Sequence, residues 1–344
     1  MTKHAGTAVR LTDVARAAGT STAVVSYVLN NGPRPVAAET RARVLAAAAR
    51  LDYRPNRIAR ALRSRTTGVV GLILADAPNP YFGALARHIE HMLEKRDKLT
   101  LIGNAGYSSD RQKALVDRFL AAQVDGLVIV SADSGADVVA QAQQAGVPAV
   151  YVHNQPSDGQ CPTVTADNES SVWQAVAHLR GHGHTRIAFL AGPHDTGPVG
   201  QRRAVWETAL AGTDAPLLRS EYARSDTAAL TRRLISDGTM PTALITATDE
   251  QAIGVLAGAQ ADGVSIPGQV AVISLDGTPD SAFTAPALTV TEQPLHAMAQ
   301  RAVDLVLDGT SDQLPARASL VLRESCGCAE KLLSSDFCLG LPLT

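Results

Sequence analysis

Between residues 69 and 307 the chain alternates short apolar runs with longer amphipathic runs, and this alternation limits the fold more than any other feature. The apolar runs predict buried β-strands and the amphipathic runs predict α-helices. The strands are predicted at 69–74, 99–103, 126–130, 149–152, 186–190, 243–246 and 270–275. The helices are predicted at 81–95, 111–122, 168–180, 201–211, 226–236, 249–261 and 294–307. Such alternation favours an α/β fold built on parallel sheets.

Polar residues follow several of the predicted strands, in both halves of this region. They are Asp76, His153, Asn154, Thr248, Asp249 and Asp276, which precedes Gly277. Ligands of parallel α/β sheets bind beyond the carboxyl ends of the strands. We therefore expect a cleft between two lobes that collects these residues.

The first 53 residues follow a different pattern, with three short predicted helices. Thr12 is expected to cap the first helix, Gly19 to end it, and Ser21 to cap the second. The third helix is predicted at 38–51. Two short helices joined by a tight, glycine-containing turn form a helix-turn-helix, whose second helix enters the major groove of DNA.

Small and polar side chains cover the outer side of the predicted second helix, where a solvated helix would ordinarily carry charges. These residues are Ser21, Thr22, Ala23, Ser26 and Tyr27. Small side chains let a helix approach DNA closely, and hydroxyls can bond phosphates or base edges. The alternative is that Ser21 only caps the helix and the rest is a neutral surface.

Charge is divided unequally along the chain. Residues 1–66 contain twelve basic and three acidic residues, whereas the remainder contains nineteen basic and thirty acidic residues. A basic head on an acidic body indicates that the head faces a polyanion such as nucleic acid. A solvated arginine-rich surface is the alternative.

The basic character continues in the segment YRPNRIARALRSRTTG, which begins at Tyr53. Asn56 can cap a helix at 57–63 that is too short to be stable alone in water. Such a helix would become ordered on DNA and on a second copy of the chain. Leu62 is then a candidate wedge for a minor-groove base step, a known use of apolar side chains.

The bulk properties are those of a cytoplasmic globular protein. A length of 344 residues allows two or three domains, and no apolar run is long enough for a membrane span or a signal peptide. Four scattered or terminal cysteines do not form the pattern of a disulfide framework. We therefore expect a cytoplasmic location.

Four stretches of the chain carry a family resemblance. They are LTDVARAAGTSTAVVSYVLN, ETRARVLAAAARLDYRPNRIARALRSRTTGVVGLIL, NPYF, and LRES near residue 325. On these motifs the chain resembles the LacI/GalR family of bacterial transcriptional regulators over nearly its whole length. The resemblance implies a helix-turn-helix head at 1–55, a hinge helix and linker at 56–67, and a two-lobed, periplasmic-binding-protein-like core at 68–325. A tail at 326–344 would follow.

Within that core, the resemblance assigns about 68–164 and 291–320 to a first lobe, and 165–290 and 321–325 to a second. It also implies a function. Members bind palindromic operator DNA as dimers, commonly as repressors, and a small effector such as a sugar controls them. The tail lacks a sustained leucine heptad, so a homodimer is expected rather than a tetramer.

Matched positions imply the effector contacts and their departures from the family pattern. The implied contacts are Asp76, Phe82, His153, Arg202, Tyr222, Thr248, Asp249 and Asp276. Arg202 with Asp276 would suit vicinal sugar hydroxyls. Thr248 stands where the family usually has asparagine, Gly277 replaces the second residue of an Asp-Asp pair, and His153-Asn154 departs as well. The identity of the effector is therefore left open.

Matched positions also imply the DNA contacts. They are Thr12, Ser21, Thr22, Ala23, Val24, Ser26, Tyr27, Asn30, Tyr53, Asn56, Arg57, Ala59 and Leu62. Tyr27 stands where arginine is usual, Val24 where threonine is usual, and Ala37 where a serine cap is usual. Arginine can bond a guanine edge through two donors and tyrosine cannot, so an altered half-site is expected.

The partial i, i+4 spacing of His178, His182 and His184 could suggest a metal, but a structural role is the favoured interpretation. In HLRGHGHTRI, which contains His182, the flanking His178 and His184 match usual structural positions of the family. Cys326 and Cys328, with Cys338 in the tail, do not make a convincing zinc pattern. We therefore expect no metal, no other cofactor and no membrane partner.

Two other classes of protein remain as alternatives. A solute-binding protein with a vestigial head would be secreted, and a sugar-modifying enzyme on the same α/β body would turn over a substrate. The chain contains no dinucleotide-binding, P-loop or nucleophile-elbow motif, and no identifiable pairing of a nucleophile with a base. The sequence thus favours a regulator over an enzyme.

Overall fold

The structure is a computed structural model that describes residues 9–29, 34–54, 61, 66–130, 136–154, 161–310 and 315–328. Contacts divide the chain into two units, residues 1–67 and 68–344. The expected DNA contacts Asn30, Asn56, Arg57, Ala59 and Leu62 lie outside the described residues.

The described part of the head contains the helices α1 (Leu11–Ala18), α2 (Thr22–Leu29) and α3 (Ala38–Arg50). All three were predicted from the sequence. Each contributes small apolar side chains to one compact core, because only small residues allow helices of two or three turns to approach closely. The buried residues are Val14, Ala15, Ala18, Val25, Val28, Val44, Ala47 and Ala48.

The helix ends confirm the predicted turn and correct one predicted cap. Gly19 follows α1 with a left-handed φ of 61°, and Ser21 Oγ accepts a hydrogen bond from the N–H of Val24 at 3.3 Å. The cap expected at Thr12 is wrong, because the N-cap position of α1 is Arg10, two residues earlier. The Asp13 carboxylate instead accepts from the N–H of Arg10 at 2.9 Å, and its charge is favoured near a helix start.

Five parallel strands form the sheet of the first lobe. They are β1 (Val69–Leu74), β2 (Leu99–Asn104), β3 (Gly126–Val130), β4 (Ala149–Val152) and β5 (Thr163–Val164), in the order β2–β1–β3–β4–β5. The helices between them are α4 (Pro80–Lys95), α5 (Ser109–Ala121) and α6 (Ala136–Gln144). Helix α4 packs on one face of this sheet, and α5 and α6 pack on the other.

Six strands form the sheet of the second lobe, in the order β11–β10–β9–β8–β6–β7. They are β6 (Ile187–Ala191), β7 (Leu217–Arg219), β8 (Ala243–Thr246), β9 (Ala271–Ser274), β10 (Thr289–Glu292) and β11 (Ser319–Val321). Its helices are α7 (Asn168–Gly181), α8 (Gly197–Ala209), α9 (Arg224–Ser236) and α10 (Asp249–Ala261). β11 runs antiparallel to β10, and the other described pairings are parallel.

The chain passes between the lobes more than once. Helix α11 (Leu295–Asp308) follows a strand of the second sheet but packs with α4 on the first sheet. The expected lobe boundary at 320 differs from the structure, because β11 pairs with β10 of the second lobe, with Val321 opposite Val290. The second lobe also extends past the expected end at 325, since Cys326 is buried in its core.

The seven strands and seven helices predicted for the core all occur, with ends that differ by a few residues at most. The sequence did not predict four short strands or one helix, namely β5, β7, β10, β11 and α6. These strands have two to four residues, too few to show a periodic pattern. Within the described part of the chain, no helix combines the length and apolar character needed to cross a membrane.

Candidate ligand cavity and nucleic-acid interface

A cavity of about 580 Å³ lies between the two lobes of the core, beyond the carboxyl ends of both sheets. This volume is typical of sites for small ligands. Seven of the eight expected effector residues line it: Asp76, Phe82, His153, Arg202, Tyr222, Thr248 and Asp276. Asp249 is not among the lining residues.

Aromatic side chains from both lobes form one wall of the cavity. Tyr107 follows β2 in the first lobe and Tyr222 follows β7 in the second, and their rings stack with centroids 6.1 Å apart and an interplanar angle of 28°. Phe82, near the start of α4, meets the Tyr107 ring edge-on at 6.3 Å. A flat ligand ring could therefore pack against aromatic side chains of both lobes.

Arg202 is the largest fully buried side chain in the described residues, and helix α8 directs it into the cavity. Its Nε donates to Asn168 Oδ1 at 2.9 Å, and its Nη1 donates to the carbonyl oxygen of Ala247 at 2.6 Å and to Asp276 Oδ1 at 3.1 Å. The guanidinium is thus held from three sides by fixed acceptors. None of these described bonds uses Nη2, so that nitrogen is the donor left for a ligand.

Asp276 pairs with Arg202 and is itself buried. Its Oδ1 also accepts from Gln293 Nε2 at 3.3 Å, and its Oδ2 accepts from the N–H of Asp249 at 3.3 Å. Burial raises the pKa of Asp276 to about 7, although the Arg202 charge lowers it; the nearby Asp249 raises it further. The Arg202 charge and the N–H of Asp249 thus oppose the effect of burial and favour the charged carboxylate.

Gln293 links Asp276 to a second polar pair, Tyr81 and His153. Because Gln293 Nε2 donates to the Leu275 carbonyl at 3.1 Å, its Oε1 faces Tyr81 and accepts the phenol proton at 2.7 Å. Tyr81 Oη can then only accept from His153 Nδ1, 2.9 Å away. This assigns the proton of His153 to Nδ1 and leaves Nε2 as a hydrogen-bond acceptor.

Burial, with a smaller contribution from the Arg202 charge, lowers the pKa of His153 to about 3, so its ring is neutral at physiological pH. The residue also has a left-handed φ of 77°. A non-glycine residue in that region is strained, and such strain persists where the surrounding structure holds it. His153 is thus a neutral acceptor fixed in an unusual backbone position.

Asp249 lies beneath the cavity and organises the loop that carries Asp276. Its carboxylate accepts from Ser274 Oγ, from the N–H of Gly277 at 3.3 Å, and from both the N–H and the hydroxyl of Thr278 at 2.6 and 2.7 Å. Those bonds occupy its oxygens. The structure therefore gives Asp249 a positioning role instead of a place in the cavity wall.

The two residues that depart from the family pattern at this edge have structural roles. Thr248 caps α10, because its Oγ1 accepts from the N–H of Gln251 at 3.3 Å. Gly277 has a left-handed φ of 74°, and a Cβ added there would overlap the backbone of Glu292. The backbone at the position after Asp276 therefore favours glycine in this chain.

Several cavity residues were not predicted from the sequence. Asn79, Tyr81, Tyr107, His194 and Glu221 line the cavity in addition to the expected set. Tyr107 follows β2, so the rule that located Asp76 could have found it. Asp76 itself is partly buried, and burial, with a smaller effect of Glu250, raises its pKa.

The outer side of α2 has the expected character. Ser21, Thr22 and Ala23 are exposed, and Ser26 and Tyr27 are partly exposed. The Arg34 guanidinium lies over the Tyr27 ring, 5.6 Å from its centroid, which adds a positive charge beside this face. Thr12 is exposed, whereas Val24 and Tyr53 pack against the head core.

A helix-turn-helix head with a polar outer face, joined to two α/β lobes around a ligand-sized cavity, defines a ligand-responsive DNA-binding regulator. Comparison with known proteins agrees. Residues 10–56 match the family described as bacterial regulatory proteins, lacI family, and residues 176–326 match the periplasmic binding protein-like domain.

Among its relatives, catabolite control protein A of Priestia megaterium is 33% identical over 90% of this chain and 97% of its own length. The regulator MalR of Streptomyces coelicolor is 35% identical over 87% of this chain and 89% of its own length. A solved lac repressor dimer, bound to operator and the anti-inducer ONPF, superposes with a TM-score of 0.82 at 25% identity, covering 93% of this chain and 99% of the other.

The chain belongs to the LacI/GalR family of bacterial transcriptional regulators. It is a DNA-binding regulator with an effector-binding domain, and its relatives are regulators rather than enzymes.

Proposed function

We propose that this protein is a repressor that binds a palindromic operator as a homodimer and is controlled by a sugar or sugar derivative in the cavity. The lac repressor dimer bound to operator supports the mode of DNA binding. The exposed face of α2, from Ser21 to Tyr27, would read each half-site. Leu62 of each chain would enter the central minor-groove step.

The pairing of Arg202 with Asp276 is the main observation from which we infer the chemical class of the effector. A free arginine would favour an anionic ligand, but this one is already neutralised by a buried carboxylate. Asp76 and Glu221 add further acidic groups to the wall. A neutral ligand with hydroxyl groups fits, because each hydroxyl can both donate and accept.

Individual atoms of the cavity supply that bonding. Arg202 Nη2 can donate to one hydroxyl oxygen, and His153 Nε2 can accept from another hydroxyl. Phe82, Tyr107 and Tyr222 can pack against the apolar faces of a sugar ring. The solved complex of the regulator CelR with cellobiose, 25% identical over 92% of this chain and 99% of its own, with a TM-score of 0.66, supports this ligand class.

Control would follow from contacts with both lobes. The ligand would contact Phe82 and His153 of the first lobe and Arg202 of the second. It therefore binds more tightly when the two lobes are closed around it than when they are open. Only such a difference in affinity can shift a conformational equilibrium. The shift would then alter the spacing of the two segments 56–67 that lead to the heads of a dimer.

Selection of bound sequences from a random duplex pool by the full-length protein tests the DNA half of this proposal. We expect enrichment of a two-fold palindrome with a fixed central step. An unenriched pool, both with and without added metabolite extract, would contradict it. The enriched operator then serves as the probe for release by neutral sugars, sugar phosphates and nucleosides.

The hinge can be tested separately with Leu62→Ala. Loss of a wedge should weaken binding to the selected operator more than binding to random DNA, because only the operator offers the deformable central step. Fluorescence anisotropy at one salt concentration measures both affinities. Equal loss on both DNAs would refute the wedge.

A further inference from the structure

Four side chains that lie far apart in the sequence converge at the carboxyl end of α7. They are His178 on that helix, His182 directly after it, and Cys326 and Cys328 in the last described segment. Their ligand-type atoms all lie within 4.8 Å of one another. We propose that this His₂Cys₂ cluster, outside the effector cavity, binds a structural Zn²⁺ ion.

Three nitrogen–sulfur distances in the cluster match those of a tetrahedral zinc site. Zn–S bonds of about 2.3 Å and Zn–N bonds of about 2.0–2.1 Å, at tetrahedral angles, place sulfur and nitrogen about 3.5 Å apart. His178 Nε2 lies 3.2 Å from Cys326 Sγ and 3.5 Å from Cys328 Sγ, and His182 Nε2 lies 3.4 Å from Cys328 Sγ. All three separations are close to the expected value.

Hydrogen bonding alone accounts poorly for this arrangement. One imidazole Nε2 makes one good hydrogen bond, yet two sulfur atoms lie within 3.5 Å of His178 Nε2. The Cys328 thiol is only a weak donor and a weak acceptor, yet two imidazole nitrogens face it. A single cation that accepts one lone pair from each of the four atoms satisfies all of them together.

Local backbone features support the same geometry. His178 and His182 are four residues apart at the end of a helix, so both point from one face, as in other i, i+4 metal pairs. The negative end of the helix dipole at this terminus favours a cation. Gly327, with a left-handed φ of 95°, makes the turn that brings the two flanking cysteines to the same side.

A supporting hydrogen bond completes the site. Thr289 Oγ1 donates to Cys326 Sγ at 3.0 Å, from strand β10. Hydrogen bonds of this kind orient a metal ligand and stabilise the thiolate form that binds metal. With two imidazoles and two thiolates, the ligands suit Zn²⁺ better than the oxygen-seeking Mg²⁺ or Ca²⁺.

The site is closed, because four protein ligands fill a tetrahedral shell. Its role is therefore structural. The ion would tie the last turn of α7 to residues 326–328, joining parts of the chain that are 148 residues apart. It would hold the end of the second lobe against β9 and β10.

Metal binding by the full-length, untagged protein tests this proposal. The protein is stripped with a chelator under reducing conditions and titrated with Zn²⁺. We expect one tightly bound zinc per chain by mass spectrometry of metals, and a melting temperature several degrees higher with zinc than without. Absence of saturable zinc binding would overturn the proposal.

Two variants and a matched control locate the site. His182→Ala and Cys328→Ser should each reduce zinc affinity by at least a hundredfold. His184→Ala should keep it, because His184 belongs to the same turn but not to the cluster. Equal loss in all three variants, or undiminished binding in the first two, would refute the assignment.

Spectroscopy of the wild-type chain removes any dependence on how the variants fold. Loading with Co²⁺ should give a thiolate-to-cobalt charge-transfer band and strong tetrahedral d–d bands. X-ray absorption at the zinc edge should show two sulfur and two nitrogen neighbours. A shell of oxygen atoms, or a protein two hydrogens lighter through a disulfide between Cys326 and Cys328, would overturn it.

Discussion

Helix α7 ends in a different kind of polar cluster at each terminus. At its amino end Asn168 holds Arg202, whose guanidinium borders an open cavity of about 580 Å³. At its carboxyl end the ligand-type atoms of His178, His182 and two cysteines all lie within 4.8 Å of one another. The comparison shows that a cluster of polar groups can bind a small molecule reversibly only where the fold leaves a cavity beside it.

Charge explains why the two ends differ. The amino-end cluster balances its own charge through Arg202 and Asp276 and is complete without a cation. The carboxyl-end cluster offers only lone pairs from nitrogen and sulfur. The first is therefore suited to a neutral, reversible effector, and the second to a resident cation.

Arg202→Ala should disrupt the amino-end cluster and have the largest effect on stability of the variants considered. It removes the partner of buried Asp276 and leaves Asn168 Oδ1 and the Ala247 carbonyl without their donor, so we expect a loss of about 3–5 kcal/mol in unfolding free energy. The effector response should disappear while operator binding at low temperature persists. Urea unfolding and operator-release assays measure the two effects.

Arg203→Ala is the matched control for that variant. Arg203 is the next residue of α8 but pairs with the partly exposed Asp195 and Glu207, so its loss should cost less than about 1 kcal/mol. Its effector response should be retained. A response that survives in Arg202→Ala would disprove the assignment of Arg202 to the effector.

Gly277→Ala should have the next largest effect, because it distorts the loop of Asp276. The left-handed φ and the overlap with the Glu292 backbone together should cost about 2–3 kcal/mol. Gly263→Ala is the control, since Gly263 has the same φ of 74° and open space around it. Equal destabilisation of the two variants in urea would show that backbone strain alone, without the overlap, sets the effect.

Thr289→Val should weaken the carboxyl-end cluster more modestly. It removes the hydroxyl that donates to Cys326 and accepts from the N–H of Arg323 at 2.9 Å, at a cost of about 1–2 kcal/mol. Thr289→Ser keeps the hydroxyl and should remain near the wild type in thermal unfolding. The effector affinity of both variants should be unchanged, and a change would mean that the two ends are coupled.

The pH dependence of stability should show the smallest net effect, because two groups at the amino end oppose each other. The pKa of Asp276 is raised from 3.8 to about 7. Its favourable contribution to the unfolding free energy is therefore complete below pH 3.8 and is lost as the pH rises to 7. His153 has a pKa lowered from 6.5 to about 3, so its contribution is complete above pH 6.5 and is lost as the pH falls to 3.

Single variants separate the two slopes. In the wild type, Asp276 makes the unfolding free energy fall between pH 4 and 7, and the Asp276→Asn variant should lack this fall. His153 makes the unfolding free energy rise over nearly the same interval, and the His153→Gln variant should lack this rise. Urea unfolding across this interval measures both. Parallel stability curves for the wild type and both variants would contradict the buried state of these groups.

The sequence by itself determined the architecture and most of the cavity wall. The strands β1, β3, β4 and β8 have the predicted bounds, because runs of buried apolar residues report burial locally. Asp76, His153 and Asp276 could be placed in a cleft because the carboxyl ends of parallel strands share one edge. Ser21 and Gly19 marked the turn of the head through local capping chemistry.

Only the tertiary structure decided what those residues do together. It placed Asp249 beneath the cavity, gave His153 its neutral tautomer through Tyr81 and Gln293, and added Tyr107 to the wall. It also brought the His178–His182 pair to Cys326 and Cys328, a meeting that the distance between the two pairs along the chain does not indicate. Periodicity and capping depend on neighbours a few residues away, whereas a polar cluster depends on which distant segments the folded core brings into contact.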